Sequence, residues 1–272
     1  MPISSFQSSN RRFANITVCA IYGHNDGSTA IPAILRSINC LPESQALLLS
    51  IAKPVNLPDK IQWQEILPMN YKQYSIFMMF CLQNFIETEY CITVQDDGWV
   101  LNGDNWNDAF WEYDYIGAPC HAAFVGNQLI PNYRWVGLPA PTIIQNGGFS
   151  LRSRKYLQAP SKFGVMYYFG SSDVIQNEDV QLTGIYRETL ERFGIRFAKI
   201  DLAKYFSIEF LGRGVHDNLN FDNLFGLHGP IRKLTEYNTI SYSISLEEAF
   251  KIYREQEVIS HLKSMGYDIK FK

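Results

Sequence analysis

Four short segments hold residue types whose spacing could do chemistry. In VQDDGW (Val94–Trp99), Asp96 and Asp97 are adjacent carboxylates. They repel unless solvated, hydrogen-bonded or neutralised by a cation. A hard divalent ion such as Mg²⁺ or Mn²⁺ typically takes one or two carboxylates plus phosphate oxygens. Asp-Asp-Gly is also good turn chemistry, so turn and metal site both stay open. In IIQNGGFSLRSRKYL (Ile143–Leu157), Gly147 and Gly148 stand ahead of an expected strand, and Asn146 adds donors and an acceptor. Paired glycines allow close backbone approach, or simply form a strand-entry turn. In NEDV (Asn177–Val180), Glu178 and Asp179 open an expected helix. They either complement the helix dipole or hold a general base at a pocket rim. In FGLHGP (Phe225–Pro230), His228 lies between glycines, as a metal ligand, a phosphate donor or a solvated turn residue.

The elements that position these segments read as alternating strands and helices. Asn15–Gly23 is a β-branched run ending in glycine, hence a buried strand. Ser28–Ile38 reads as a helix with Ser28 as cap and Pro32 in its first turn. Gln45–Lys53 and Ile61–Leu67 are strands, Tyr71–Ile86 is a helix, and Tyr90–Gln95 is a third buried strand. That β-α-β-β-α-β order implies a mainly parallel sheet with helices on both faces. Ligands on such sheets sit beyond the carboxyl ends of the strands, where Asp96 and Asp97 fall. Further on, 117–148 is rich in Pro, Gly and Asn and reads as a functional loop. Strands are expected at Phe149–Arg152 and Arg196–Ile200. Helices are expected at Glu178–Phe193 and Ser245–Met265, the last with a core stripe at Leu246, Phe250, Tyr253 and Val258.

Composition narrows the class. The 272 residues are 46% hydrophobic and 19% charged, against a usual charged share of about 25%, which excludes a disordered chain or a coiled coil. A net charge of −3 gives no electrostatic reason to propose a nucleic-acid partner. Five scattered cysteines without CxxC spacing argue against a disulfide framework or a zinc site and fit a reducing compartment. No apolar run approaches the roughly 20 residues of a membrane span. The expectation is a cytoplasmic protein, with peripheral contact at a membrane surface left open. Residues 1–13 read as a flexible arm, 14–240 as a single domain, and 241–272 as a helical extension packed on it.

Taken in order, the strand with its acidic pair, the Gly-Gly strand, the Glu-Asp helix start and the Gly-Leu-His-Gly segment resemble the GT-A class of nucleotide-sugar glycosyltransferases. Gln95-Asp96-Asp97, Tyr113–Pro119 (YDYIGAP) and Asn146–Arg152 (NGGFSLR) are similar to segments of the fringe and β-1,3-galactosyltransferase-like group and of a bacterial family carrying the same motifs. The resemblance spans about residues 15–230. It implies a GT-A-like, Rossmann-type sheet with a loop-rich acceptor side. It implies a metal-dependent inverting glycosyltransferase that moves a sugar from a UDP- or GDP-linked donor to a glycan hydroxyl. Under it, Asp97 matches the last acid of a DxD-type motif and, with His228 and Asp96, binds Mn²⁺ or Mg²⁺. Gln95 stands where the first Asp usually sits. Asp179 matches the base, beside Glu178, while Asn146, Gly147, Gly148 and Trp99 line the acceptor or sugar side.

Donor-side candidates follow from position. Tyr22 ends the first strand and could stack on a base, Lys53 ends the second and could reach phosphate or ribose, and Arg36 and Tyr74 join them. The aromatics Trp99, Trp106, Trp111, Tyr113, Tyr115, Tyr133 and Trp135 are a candidate sugar-stacking wall, as are Tyr167, Tyr168 and Phe169; most such rings are core. Two rival functions remain: a sugar- or nucleotide-binding module that has lost turnover, and a metal-dependent phosphodiesterase. The chain has no GxGxxG after its first strand, no GxxxxGK[ST] and no GxSxG, which disfavours a nicotinamide enzyme, a P-loop kinase and an elbow-type serine hydrolase.

Overall fold

The first strand, β1 (Ile16–Tyr22), is buried along its whole length, as a β-branched run covered on both faces must be. The computed structural model describes residues 12–121, 124–125, 128–129, 143–169 and 177–272. After β1 come α1 (Ile31–Cys40), β2 (Gln45–Ser50), β3 (Gln62–Glu65), α2 (Tyr71–Phe80), β4 (Tyr90–Thr93), β5 (Gly98–Val100) and β6 (Tyr115–His121). A small β7 and β8 (Phe124–Val125 and Gln128–Leu129) precede β9 (Ile143–Ser153) and α3 (Arg154–Lys162). Then follow α4 (Glu178–Val180), α5 (Arg187–Arg192), α6 (Ile200–Phe206), β10 (Ser207–Ile208) and β11 (Gly226–His228). The chain closes with β12 (Arg232–Glu236), β13 (Thr239–Tyr242), α7 (Leu246–Ala249), α8 (Glu255–Ser264) and β14 (Asp268–Lys270).

The main sheet has the order β3-β2-β1-β4-β9-β6. Strands β3, β2, β1 and β4 run parallel; β9 is antiparallel to both β4 and β6. Strand alternation divides the core between the two faces. Val18, Ala20 and Tyr22 pack on the side of Ile34 from α1 and Phe206 from α6, whereas Cys19 and Ile21 pack with Met78 from α2 and Leu157 from α3. The mixed α/β architecture with helices on both faces is therefore present. The chain winds outward from β1 to β3 and returns to the other side of β1 as β4. That reversal opens a crevice at the carboxyl ends of β1 and β4, where open α/β sheets bind ligands. A second sheet, β10-β11-β5, joins the segment after β4 to the late strand β11.

Several boundaries differ from the sequence expectation, each for a local reason. The helix expected over Ser28–Ile38 starts as a 3-10 turn (Ser28–Ala30) after Gly27 at φ 70°, and Ser28 caps nothing. Helix α2 carries an Asn70–Gln73 capping box and gives way after Phe80 to a 3-10 turn. The strand expected at Arg196–Ile200 reduces to one bridge between Phe197 and Tyr115, and α6 takes over. The expected 178–193 helix is interrupted by a π-helical stretch, Gln181–Ile185. The expected 245–265 helix is split: α7 ends at Ala249, turns follow, and α8 starts after Arg254, which adopts φ 57°; Leu246 and Phe250 are exposed instead of lying on a core stripe. At the amino end, Phe13 is buried edge-on against Trp106, so the core begins inside the expected arm. At the carboxyl end, β14 pairs with β13. The third sheet, β12-β13-β14, thus straddles the expected division at 240/241 and adds a strand to the helical extension.

Candidate functional site

The acidic pair forms the tip of the tightest possible hairpin. Gln95 and Gly98 exchange two backbone hydrogen bonds (2.9 and 3.0 Å), leaving Asp96 and Asp97 as a two-residue turn between β4 and β5. The turn expectation holds: the two acids are the turn. Strand β5 then pairs with β11, Gly98 opposite His228, and the Gly229 amide donates to the Asp97 carbonyl at 2.8 Å. This pairing brings residues 131 positions apart to 3.6 Å, the distance from His228 Nε2 to Asp97 Oδ1. On the ring's other side, Nδ1 lies 4.0 Å from Glu209 Oε1. Glu209 follows β10 directly, and burial beside Asp97 pushes its carboxyl above the ordinary value against the pull of His228. Nothing in the short SIEF context singled it out in the sequence.

The Asn-Gly-Gly segment lies within strand β9, not ahead of it. The β6–β9 register jumps from Gly117↔Ser150 to Pro119↔Gln145, so Asn146–Phe149 bulge out of the ladder. The bulge is held by side chains. Gly147 O accepts from Thr93 Oγ1 (2.9 Å), Ser150 Oγ (3.0 Å) and Arg152 Nη2 (3.1 Å), and Tyr115 Oη donates to the carbonyls of Gln145 and Asn146. The YDYIGAP segment backs directly onto NGGFSLR: a Cβ on Gly117 would sit 2.0 Å from Asn146 O. Gly148 faces the histidine, since a Cβ there would lie 2.2 Å from His228 Nε2 and 2.7 Å from Gln95 Oε1.

Helix α4 aims two acids at this bulge with different outcomes. Glu178 is neutralised by Arg152 (2.8 Å), a pair almost wholly shielded from solvent. Asp179 Oδ2 accepts from the Gly147 amide at 2.8 Å and Oδ1 from the Val180 amide at 2.7 Å. Burial, reinforced by the neighbouring Glu178 charge, outweighs those two donors and raises the Asp179 carboxyl to about 7. Asp179 is thus poised to exchange a proton near neutrality, whereas Glu178 is held by its partner and serves to fix Arg152 and the bulge.

These groups line one cavity of about 500 Å³: Gln95 and Asp97 from the hairpin, Asn146 to Gly148 from the bulge, Glu178 and Asp179 from α4, and His228 and Glu209 opposite. His216, also in its wall and missed in the sequence, is kept neutral by burial, its pKa lowered to about 4. A second cleft of about 530 Å³ adjoins it in the β1–β4 crevice and is lined by Tyr22, His24, Met69, Asp96 and Lys233. Tyr71, Tyr74, Gln95 and Asp97 border both. Asp96 turns to this second cleft. It accepts from Tyr22 Oη (3.2 Å) and Lys233 Nζ (2.9 Å), which replaces the expected sharing of a metal with Asp97 by an ion pair.

Three expected site residues lie elsewhere. Trp99 is fully buried in the second core cluster, donating to Tyr267 Oη, because alternation along β5 sets it on the face opposite Gly98, whose Cβ direction meets His228. Arg36 donates to the Leu101 carbonyl and lies over the rings of Tyr237 and Tyr267. Lys53, in the exposed turn after β2, borders neither cavity. Of the proposed aromatic wall, Trp106 and Tyr115 are core and Trp111 and Tyr113 pack against it, while Tyr133 and Trp135 lie outside the described residues. Tyr167, Tyr168 and Phe169 border neither cavity.

Among the described residues, no group of three His, Cys, Asp or Glu side chains stands ready to hold a metal ion. Asp97 and His228 nevertheless fit a cation that completes its ligand set from outside the protein. They face each other across a gap, Asp97 Oδ1 is buried without a hydrogen-bond partner, and the missing Cβ of Gly148 leaves the space before His228 Nε2 open. Also among the described residues, no helix is long and apolar enough to cross a membrane.

Residues 64–228, more than half of the chain, match a family described as a protein of unknown function, DUF5672, and the chain belongs to that family. No curated protein matches it. The matched stretch runs from the end of β3 to His228 and so contains the hairpin, the bulge, Asp179 and Glu209.

Proposed function

We propose that this protein is a metal-dependent inverting glycosyltransferase with a GT-A-like fold, acting on a nucleoside-diphosphate sugar and a glycan hydroxyl. The observation that carries the reading is the meeting of Asp97, His228 and the proton-poised Asp179 around one cavity that opens onto a ligand crevice at the sheet's switch point. The crevice between Tyr22 and Lys233 is assigned to the nucleotide, with Asp96 facing its ribose. Asp97 and His228 would hold Mn²⁺ or Mg²⁺ against the diphosphate. When bound, that ion supplies charge stabilisation of the departing nucleoside diphosphate.

The chain's own residues do the rest. Asp179 accepts the proton of the acceptor hydroxyl as the oxygen attacks the anomeric carbon from the side opposite the leaving group. The attack breaks the sugar–phosphate bond and inverts the centre. The Gly147 and Val180 amides fix both carboxylate oxygens of Asp179 while leaving each a lone pair for the substrate. The ion pair to Arg152 holds Glu178 at the bulge.

The test is a screen of UDP- and GDP-sugars for Mn²⁺-dependent hydrolysis or transfer. Metal-dependent release of nucleoside diphosphate, with Asp179→Asn retaining UDP or GDP binding but losing turnover, supports the reading. Turnover surviving in Asp179→Asn removes the base assignment. Stabilisation by a free glycan without any nucleotide effect favours a binding module instead.

A further inference from the structure

Beyond the family match, strand β12 adjoins the site through Asp96, and a buried charged pair anchors it. Arg232 is fully buried. Its Nη1 donates to the backbone carbonyls of His228 (2.9 Å) and Glu209 (3.0 Å), the two residues on either side of the imidazole gap. Its Nε and Nη2 form a two-pronged pair with Glu255 Oε1 (2.7 Å) and Oε2 (2.5 Å). Glu255, fully buried at the start of α8, is further fixed by Tyr242 Oη at 2.8 Å. The path of the chain is shaped around the guanidinium: Gly229 has φ 152°, and a Cβ there would lie 2.5 Å from Arg232 Nη1. The next residue, Lys233, reaches Asp96, and the Leu234 amide donates to the Asp96 carbonyl at 2.7 Å.

We infer that Arg232, held in place by Glu255, is a positioning residue that sets the aim of His228 toward Asp97, so that the carboxyl-terminal helix is part of the cation site although none of its residues lines the cavity. This rests on the functional reading above. The physical case is one of cost. Burying an isolated guanidinium–carboxylate pair stabilises a fold little, and well-packed apolar side chains commonly replace such a pair without loss. Here Arg232 Nη1 also donates to two carbonyls, those of His228 and Glu209, an arrangement apolar residues cannot reproduce. Contacts outside the ligands orient them and tune a metal site, and here the contact is made through the backbone of His228.

The experiment uses the full chain and reads Mn²⁺ binding directly, by loss of the free-ion electron-paramagnetic-resonance signal in the presence of UDP. Arg232→Lys should weaken Mn²⁺ binding about 10- to 100-fold, the range expected for an outer-contact change. It is accompanied by Arg232→Met/Glu255→Met, which removes both charges together and guards against simple misfolding. That double variant should melt close to wild type and still bind Mn²⁺ about as weakly as Arg232→Lys. A stable double variant that binds Mn²⁺ as tightly as wild type overturns the positioning role while leaving the glycosyltransferase reading standing. A wild-type protein that takes up no Mn²⁺ with either UDP or GDP overturns both.

Discussion

At the scale of single residues, Asp179 carries the sharpest expectations. Its carboxyl is raised to about 7, so the proposed base is protonated in acid and free above neutrality. Turnover should fall as pH drops below about 7 and level off above it, and Asp179→Asn should lose at least about 100-fold in rate with no remaining inflection there. Linkage gives a second readout independent of substrate. The unfolded carboxyl titrates near 3.9, so between about pH 4 and 7 the folded state keeps a proton that the unfolded state has lost. Stability from this group is complete below that window and is lost as pH rises through it. The melting temperature of Asp179→Asn relative to wild type should therefore move in the variant's favour between about pH 5 and pH 8. A parallel pair of profiles would mean that Asp179 titrates as an ordinary carboxylate. Gly148 yields another test. A methyl there would overlap His228 Nε2, so Gly148→Ala should abolish Mn²⁺-dependent stabilisation by UDP while lowering the melting temperature only slightly. Retained stabilisation would detach His228 from the cation.

At the scale of elements, the β9 bulge decides what the site looks like, and Arg152 decides the bulge. Arg152 lies wholly inside the protein, bonded to Glu178, Gly147 O and Ser150 Oγ. Arg152→Ala would leave Glu178 buried and uncompensated, at a cost of about 3–5 kcal/mol, measurable by denaturant titration, whereas Arg152→Met/Glu178→Met should recover much of that loss. The same elements mark how far the sequence could be read. The strands β1, β2 and β4 were legible because their β-branched and aliphatic runs demand burial on both faces. Asp97, Asp179 and His228 stood out because polar residues at strand and helix ends are conspicuous between apolar runs. The bulge was not legible: Asn146-Gly147-Gly148 resembles a strand entrance, and only the partner strand, unknowable from local pattern, shows that the ladder resumes at Gln145. The split between α7 and α8 interrupts an amphipathic period that was otherwise continuous, and Trp99 was misplaced by the alternation along β5. Glu209 and His216 lay in stretches with no period at all, and their role in the cavity exists only in three dimensions.

At the scale of the molecule, the carboxyl-terminal segment is a structural partner of the matched region. Val258, Ile259, Leu262 and Tyr267 are buried in the same cluster as Trp99, Leu101 and Leu227. Burial of each such side chain is worth about 1.5–3 kcal/mol, so removing α8 and β14 forfeits about as much as a whole domain's net stability of roughly 5–15 kcal/mol. A chain ending before α7 should accordingly be recovered in inclusion bodies or bind a hydrophobic dye, and a soluble, cooperatively melting truncation would contradict this accounting. By the same accounting, residues 64–228 should not fold by themselves.

One short hairpin ties these scales together. Asp96 and Asp97 occupy its entire tip, Asp96 in the second hollow and Asp97 on the rim of both, and the backbone around them is closed by reciprocal bonds from Gln95 to Gly98. Such a tip has no slack: a guest that tugs on one carboxylate must re-aim the other. The two hollows should consequently behave as communicating vessels, with occupancy of the first setting the reception given to whatever enters the second.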